Sequence, residues 1–548
     1  MRITIYTIAL ILILAFGLFL SYAFFYGPSP INGADNYAYT HIPVDLLHGQ
    51  LSQFEADEGP AQQFFLISGI ALFYGLFGIS PLTASMFGVL CFLITILAVY
   101  KIGAVLYNKK AGVISAFIYS FNPVAVVNAS YVGDDGSMIL LISLCVMFLV
   151  MGIKEKRKKR RYLYFGLAGF FTLSGIMAEA ETIVILAFVI PLLLVYLFKD
   201  RKPGAIISAK SLVNTKFFIC GLLYFLGFFG LLEMAFGKPP FFLFTANSNL
   251  YTNLQVATPQ FFTYVAWIFP YHIWSTFTTI INEVITNQTM LSLLITIYNQ
   301  FAAFFNTSTI QSMSGISNGL FGYFAIASAS YLLLRKNTHF FIPGFWSLST
   351  FLYLGLGTVS LTHYVPIGIA YVRMMIVLLP GLALVIGFAV ADLLEINKSK
   401  FYRYVTLSIV VLLIGLLLTT SFVIIRFVDL SQYVYVYPLE QVGNFLKNLG
   451  PNVSVSMYTI FFPIQPYIPY NYGISLIVRP NSQENCTDVT PNSYILIEHP
   501  SSSFGNMCNS TEVFGPPYML PAYLSQYNMF NNNPYGSYTN ITVYYHNG

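Results

Sequence analysis

A chain of 548 residues in which 56% are hydrophobic and 9% charged has too little polar side-chain surface to cover a water-soluble globule of that size. Its mean hydropathy of +0.69 places it in lipid. The formal charge of +5 belongs to short basic clusters between apolar stretches, so it calls for no nucleic-acid partner.

A transmembrane helix needs about 20 mostly apolar residues to cross a hydrocarbon layer roughly 30 Å thick. Ile3 to Phe25 is the first such stretch, preceded only by Arg2. It is longer than a signal-peptide core and ends in bulky Tyr22, Phe24, Phe25 and Tyr26, which reads as a retained helix. Pro81 to Leu106 returns the chain. The basic clusters at Lys109 and Lys110, Lys154 to Arg161 (K-E-K-R-K-K-R-R), Lys199 to Lys202, Arg335 and Lys336, and Lys398 to Arg403 all fall inside if lysine and arginine mark the cytoplasmic face. Even numbers of crossings separate them: Gly112 to Val127 with Met138 to Ile153, then Tyr162 to Met177 with Ile183 to Phe198. Phe217 to Leu232, Gly319 to Leu334, Phe340 to Val359, Val365 to Leu394 and Val405 to Phe427 follow. Phe261 to Ile281 and Leu291 to Phe305 are an extra pair of spans or lie in a long outer loop. The expected fold is an all-α polytopic membrane domain, residues 1–428, with about 11 to 13 transmembrane helices. Outer loops cover 27–80 and 233–318, and parity requires the apolar run from Gln62 to Gly78 to be interfacial. The cell membrane is the expected location, with residues 429–548 forming a small extracytoplasmic α/β or mainly β domain.

This topology gathers the acids on the outer face. Asp35 stands in G-A-D-N-Y-A-Y-T-H, ahead of Glu55, Asp57 and Glu58; Asp134 and Asp135 stand in S-Y-V-G-D-D-G-S-M; Glu179 and Glu181 occupy a tight turn; Glu283 lies in T-I-I-N-E-V. Carboxylates at a membrane interface are costly unless hydrated, paired or bound to a cation. Acids converging from separate loops would give a hard divalent ion, Mg²⁺ or Mn²⁺, its oxygen ligands. The alternative is simple solvation, which suits Glu55, Asp57 and Glu58 best; Glu179 and Glu181 suit a structural role.

These residues, in this order and on one side of the membrane, resemble the C-type (GT-C) glycosyltransferases, and most of all the archaeal-like catalytic subunit of oligosaccharyltransferases. D-N-Y-A-Y with L-L-H-G behind it is similar to that family's first acidic motif, which puts Asp35 in a metal-ligand role. A-S-Y-V-G-D-D-G-S-M is similar to the second acidic motif, with Gly133 where the first acid belongs, so the ligand role passes to Asp134 with Asp135 as the second acid. I-I-N-E is similar to the outer-loop motif, which makes Glu283 the group that holds acceptor and metal. Y-V-R-M-M-I-V-L-L-P, from Tyr371, puts Arg373 against the donor phosphate. The plain alternative for Arg373 is an interfacial arginine at a helix end.

What the resemblance implies is an enzyme with a divalent metal, Asp35 and Glu283 as catalytic residues, a lipid-linked sugar donor (dolichyl phosphate or diphosphate) and an extracytoplasmic protein or peptide acceptor, its asparagine above all. A transferase of a single sugar from a polyprenyl monophosphate is the alternative within the enzyme class. A transporter or flippase is the alternative outside it, disfavoured because the acids lie in loops and no inverted repeat is visible. The departure lies in the C-terminal domain. P-L-E-Q-V-G-N-F-L-K-N-L-G followed by P-N-V-S-V-S reads as a helix and a strand, yet Met457 to Phe461 stands where that family carries W-W-D-Y-G. Short alternating runs at Val453 to Tyr458 and Tyr494 to Glu498 read as strands. Cys91, Cys145 and Cys220 fall in apolar spans and are expected to pack, whereas Cys486 and Cys508 share the outer domain and could form a disulfide in an oxidising compartment. Sequons at Asn128, Asn287, Asn306, Asn452, Asn485, Asn509 and Asn540 would all be external.

Overall fold

The computed structural model describes residues 5–23, 34–49, 64–130, 132–133, 135–178, 185–199, 209–235, 324–356, 376–396, 439–450, 453–457, 475–478, 492–498, 509–514 and 541–547, with isolated positions from 404 to 437. They fall into two compact units, one within 1–20, 91–126 and 135–425, the other within 21–90, 127–134 and 426–548.

In chain order the helices are α1 (Ile5–Ala23), α2 (Ala34–Leu47), α3 (Phe64–Phe77), α4 (Pro81–Leu106), α5 (Lys109–Ser120), α6 (Pro123–Ser130), α7 (Asp135–Lys154), α8 (Lys158–Ala178), α9 (Leu186–Lys199) and α10 (Ala209–Ala235). Later come α11 (Phe324–Leu334), α12 (Phe341–Leu356) and α13 (Leu379–Ile396). Among the described residues α1, α4, α7 and α13 supply the four stretches long and apolar enough to cross a membrane. The expected spans at Phe261 to Ile281 and Leu291 to Phe305 lie outside the described residues, as does nearly all of Val405 to Phe427.

Where α4 begins, the sequence dictates the boundary. Gly78 takes φ +83°, a left-handed conformation that ends α3 cheaply only for glycine, and its N–H bonds Tyr74 O at 2.9 Å. Ser80 then caps α4, its Oγ accepting from Thr83 N at 3.2 Å while Thr83 Oγ1 accepts from Ser80 N at 2.9 Å, and Pro81 fills the first helical position. α3, at 14 residues or about 21 Å, is too short to span the hydrocarbon layer. It packs instead on α2, a helix within the expected outer loop.

The run from Gly112 to Val127, expected as one span, is two helices bent by 65°. Pro123 has no N–H to donate back, and it disfavours the helical conformation at Asn122. Asn122 Oδ1 instead caps α6, accepting from Val124 N at 3.0 Å and Ala125 N at 3.2 Å.

Within the membrane helices the contacts are those expected where lipid offers no hydrophobic drive between helices: small residues and stacked rings. At the α4–α5 hairpin Gly103 faces Gly112 so closely that a Cβ on Gly103 would sit 2.8 Å from the Gly112 Cα. Phe148 of α7 stacks on Phe171 of α8 at 5.5 Å, and Cys145 Sγ shares a hydrogen bond with Thr172 Oγ1 at 3.0 Å. Cys91 and Cys145 are buried as expected, whereas Cys220 of α10 is exposed on the protein surface.

The C-terminal sheet is mixed, in the order β2-β1-β3-β5-β4, from β1 (Ser454–Met457), β2 (Ser475–Val478), β3 (Ser493–Glu498), β4 (Ser510–Phe514) and β5 (Ile541–His546). β1 runs parallel to β2 and β3, whereas β5 is antiparallel to β3 and β4. A helix over 439–448 covers it with fully buried Leu439, Val442 and Leu446, and Phe445 stacks on Phe514 at 4.7 Å. Among the described residues this region is thus α/β.

Candidate active site

Of the acids and the arginine expected to form the site, Asp35 and Asp135 belong to described helices. Asp35 is the second residue of α2, and Asp135 is the first residue of α7. Asp134, Glu283, Arg373, Cys486 and Cys508 lie outside the described residues, as do Glu55, Asp57, Glu58, Glu179 and Glu181.

Asp135 is 4% exposed, and Ser137 and Met138 behind it are buried as well. A carboxylate at a helix N-terminus faces the positive end of the macrodipole. This is the end of α7 opposite the basic Lys154–Arg161 segment. A withdrawn carboxylate oxygen is the donor type that a hard divalent ion takes, so the residue fits such an ion. Among the described residues no three His, Cys, Asp or Glu side chains come together as a metal cluster.

Sequence reasoning missed the polar residues further along α2 from Asp35. His41 and Asp45, one turn apart and both buried, meet with Nε2 and Oδ2 3.3 Å apart. His48 Nδ1 lies 2.6 Å from Val44 O, which brings a second imidazole toward the same carboxylate. Burial pushes the Asp45 carboxyl above the usual carboxylate range, opposed first by His41 and then by His48. The signal was present as H-x-x-x-D, the i,i+4 spacing of one helix face, but Pro43 inside α2 hides the helix.

At the basic end of the other unit a second polar network was also missed. Asp392 of α13 accepts at Oδ1 from Tyr107 Oη at 3.0 Å and from Asn337 Nδ2 at 3.4 Å, and at Oδ2 from Tyr331 Oη at 2.9 Å. Arg335 Nε stands 3.9 Å from Oδ2. One turn on, Glu395 Oε1 accepts from Asn108 Nδ2 at 2.9 Å, while Asn108 Oδ1 caps α5 by accepting from Ala111 N at 2.8 Å. The network ties the α4–α5 turn and the α11–α12 turn to the end of α13. Burial and then the Asp392 carboxylate push the Tyr107 phenol up, so it remains a donor.

A family model described as dolichyl-phosphate-mannose-protein mannosyltransferase matches residues 62–232, a stretch that contains Asp134 and Asp135 and stops before Glu283 and Arg373. No curated protein matches the chain. Among solved structures it is similar to ArnT from Cupriavidus metallidurans bound to undecaprenyl phosphate, at 11% identity and a TM-score of 0.59, over 98% of this chain and 97% of that one. The apo form of the same protein matches at 12% identity and a TM-score of 0.58, with the same coverage. The apo oligosaccharyltransferase of Archaeoglobus fulgidus matches at 11% identity and a TM-score of 0.52, over 90% of this chain and 69% of that one. At such identities the likeness is one of architecture, and by that architecture the chain has the GT-C fold of membrane glycosyltransferases.

Proposed function

We propose that the chain is a membrane glycosyltransferase that moves a sugar from a polyprenyl-linked phosphate donor to an acceptor outside the cytoplasm. The observation that carries this reading is the end-to-end likeness to ArnT, whose structure holds undecaprenyl phosphate. The match to a dolichyl-phosphate-mannose-dependent family model points the same way, and together they set the reading above a transporter. In the reaction an acceptor oxygen or nitrogen attacks the anomeric carbon. The bond from that carbon to the phosphate oxygen breaks, its electron pair leaves with the phosphate, and the acceptor's proton passes to a carboxylate, for which Asp35 and Glu283 are the candidates.

Asp35, Asp134, Asp135 and Glu283 would hold a divalent ion, Mg²⁺ or Mn²⁺, which when bound neutralises charge developing on the leaving phosphate. Arg373 would meet the same phosphate with two parallel N–H donors. Residues 429–548 would form the outer domain, with Cys486 and Cys508 bridged. The full-length match to ArnT and the absence of W-W-D-Y-G favour a single sugar on a monophosphate carrier. The resemblance of the segments around Glu283 and Arg373 to oligosaccharyltransferase motifs favours an oligosaccharide and an acceptor asparagine.

Purified protein given a polyprenyl-phosphate sugar, or a lipid-linked oligosaccharide with a sequon peptide, distinguishes these donors. Asp35→Ala, Asp135→Ala and Glu283→Ala should each lower metal-dependent transfer by roughly 100-fold or more. Transfer that persists in all three would overturn the assignment of the site, and no turnover of either donor, with no donor hydrolysis, would overturn the enzyme reading.

A further inference from the structure

We propose that the segment from Lys154 to Arg161, between α7 and α8, is a docking surface for the phosphate headgroups of anionic lipids. It is independent of the catalytic reading. Seven cations stand there against the single Glu155, in a chain of 26 lysines and arginines. Lys154, Lys156, Arg157, Lys158, Lys159 and Arg160 are exposed. Glu155 offsets one of them, its carboxylate accepting from Arg157 N at 2.9 Å and held ionised below its usual range by that backbone contact, which leaves six of the seven cations in excess.

Marking the cytoplasmic side does not require such a cluster. The α4–α5 turn manages with Lys109 and Lys110, and the α11–α12 turn with Arg335 and Lys336, where Arg335 has Asp392 nearby. Here the cations are also placed against local electrostatics. Four of them, Lys158 to Arg161, form the first turn of α8, which has no acidic residue, and that is the end where a helix repels positive charge and offers free N–H groups. Lys158 Nζ and the Arg161 guanidinium both stand 5.8 Å from the Tyr162 ring, which also stacks on Phe217 at 4.2 Å. Arg161 is 9% exposed, and its Nε donates to the neutral amide of the fully buried Asn214 at 3.1 Å. Among the described residues no carboxylate lies within ion-pair distance of it.

Like charges gathered on one ring, at a helix end that favours anions, call for a counter-anion. At the end of two membrane helices the anion in reach is a lipid phosphate. Lysine and arginine near such a surface each add attraction that decays within a Debye length, so the effect must be salt-sensitive.

The test uses the full chain in vesicles of phosphatidylcholine and phosphatidylglycerol at 3:1, with spin-labelled lipid reporting the preference for the anionic headgroup. Wild type should prefer phosphatidylglycerol by several-fold at low salt and lose that preference at about 1 M salt. K156Q/R157Q/K158Q/K159Q should lose it at every salt concentration, while K156R/R157K/K158R/K159R keeps it. An unchanged unfolding temperature in pure phosphatidylcholine shows that the glutamine variant is folded. Equal preference in the wild type and that variant, or none in the wild type, overturns the proposal. So does abolition of the preference by millimolar inorganic phosphate at constant ionic strength, which would assign the site to free phosphate instead.

Discussion

Asp392 and Asp45 are carboxylates withdrawn from water in different units, and they are treated differently. Asp392 takes hydroxyl, amide and guanidinium donors from helices distant in sequence: Tyr107, Asn337, Tyr331 and Arg335. Asp45 leans on His41, four residues before it on the same helix, with His48 one turn beyond. The first arrangement joins helices distant in sequence. The second pairs residues of one helix and places a carboxyl of raised pKa beside an imidazole, so its charge state varies with pH. The contrast separates a carboxylate that fixes helices from one that responds to its medium.

Removing Asp392 is the largest way to break this comparison. Asp392→Ala strands the Tyr107 and Tyr331 hydroxyls and the Asn337 amide, each a donor that costs about 1 kcal/mol or more when left unmet, so a loss on the order of 3 kcal/mol is expected. A thermal unfolding scan in detergent should show it, with Asp392→Asn retaining an acceptor and losing less. A scan indistinguishable from wild type would mean that the network does not join these helices.

A smaller effect is expected at Asp45, and its sign is set by the direction of the shift. Folding raises the pKa of this acid, so its contribution to stability is fully present below the unfolded value near 4 and is lost as pH rises through the folded value. Asp45→Asn removes that titration. The stability difference between variant and wild type should therefore change across the range just above pH 4 and be level at higher pH. If the two proteins keep parallel pH profiles from 4 to 7, the carboxyl is not shifted in the fold.

The same contrast governs what was legible in the sequence. The start of α4 could be read from Ser80 and Pro81, because local capping chemistry decides it. β1 and β3 were legible from alternation within one residue at either end, whereas β4 was not: three of its five residues are exposed, and its polar sequence carries no alternation. The Asp392 network joins residues 285 and 61 apart, a distance at which no spacing rule operates. Asp35 and Asp135 were found because acids are rare in this chain. That their positions are second in α2 and first in α7 depends on caps and turns that the hydrophobic pattern does not encode.

The smallest effect probes the bend that hydrophobicity concealed. Asn122 and Pro123 make it together, and they do different things: Pro123 forbids the continuous helix, while Asn122 satisfies the N–H groups that the break exposes. Asn122→Ala should cost about 1 kcal/mol and leave the bend in place, and Asn122→Ser should recover most of that loss. Pro123→Ala instead removes the barrier to one straight helix from Lys109 to Ser130, four residues before Asp134. It should disturb the approach of the chain to Asp134 and Asp135, and lower transfer more than it lowers the unfolding temperature. The reverse ranking, with Pro123→Ala harmless to transfer and Asn122→Ala damaging, would mean that the cap directs the chain and the proline only tolerates it.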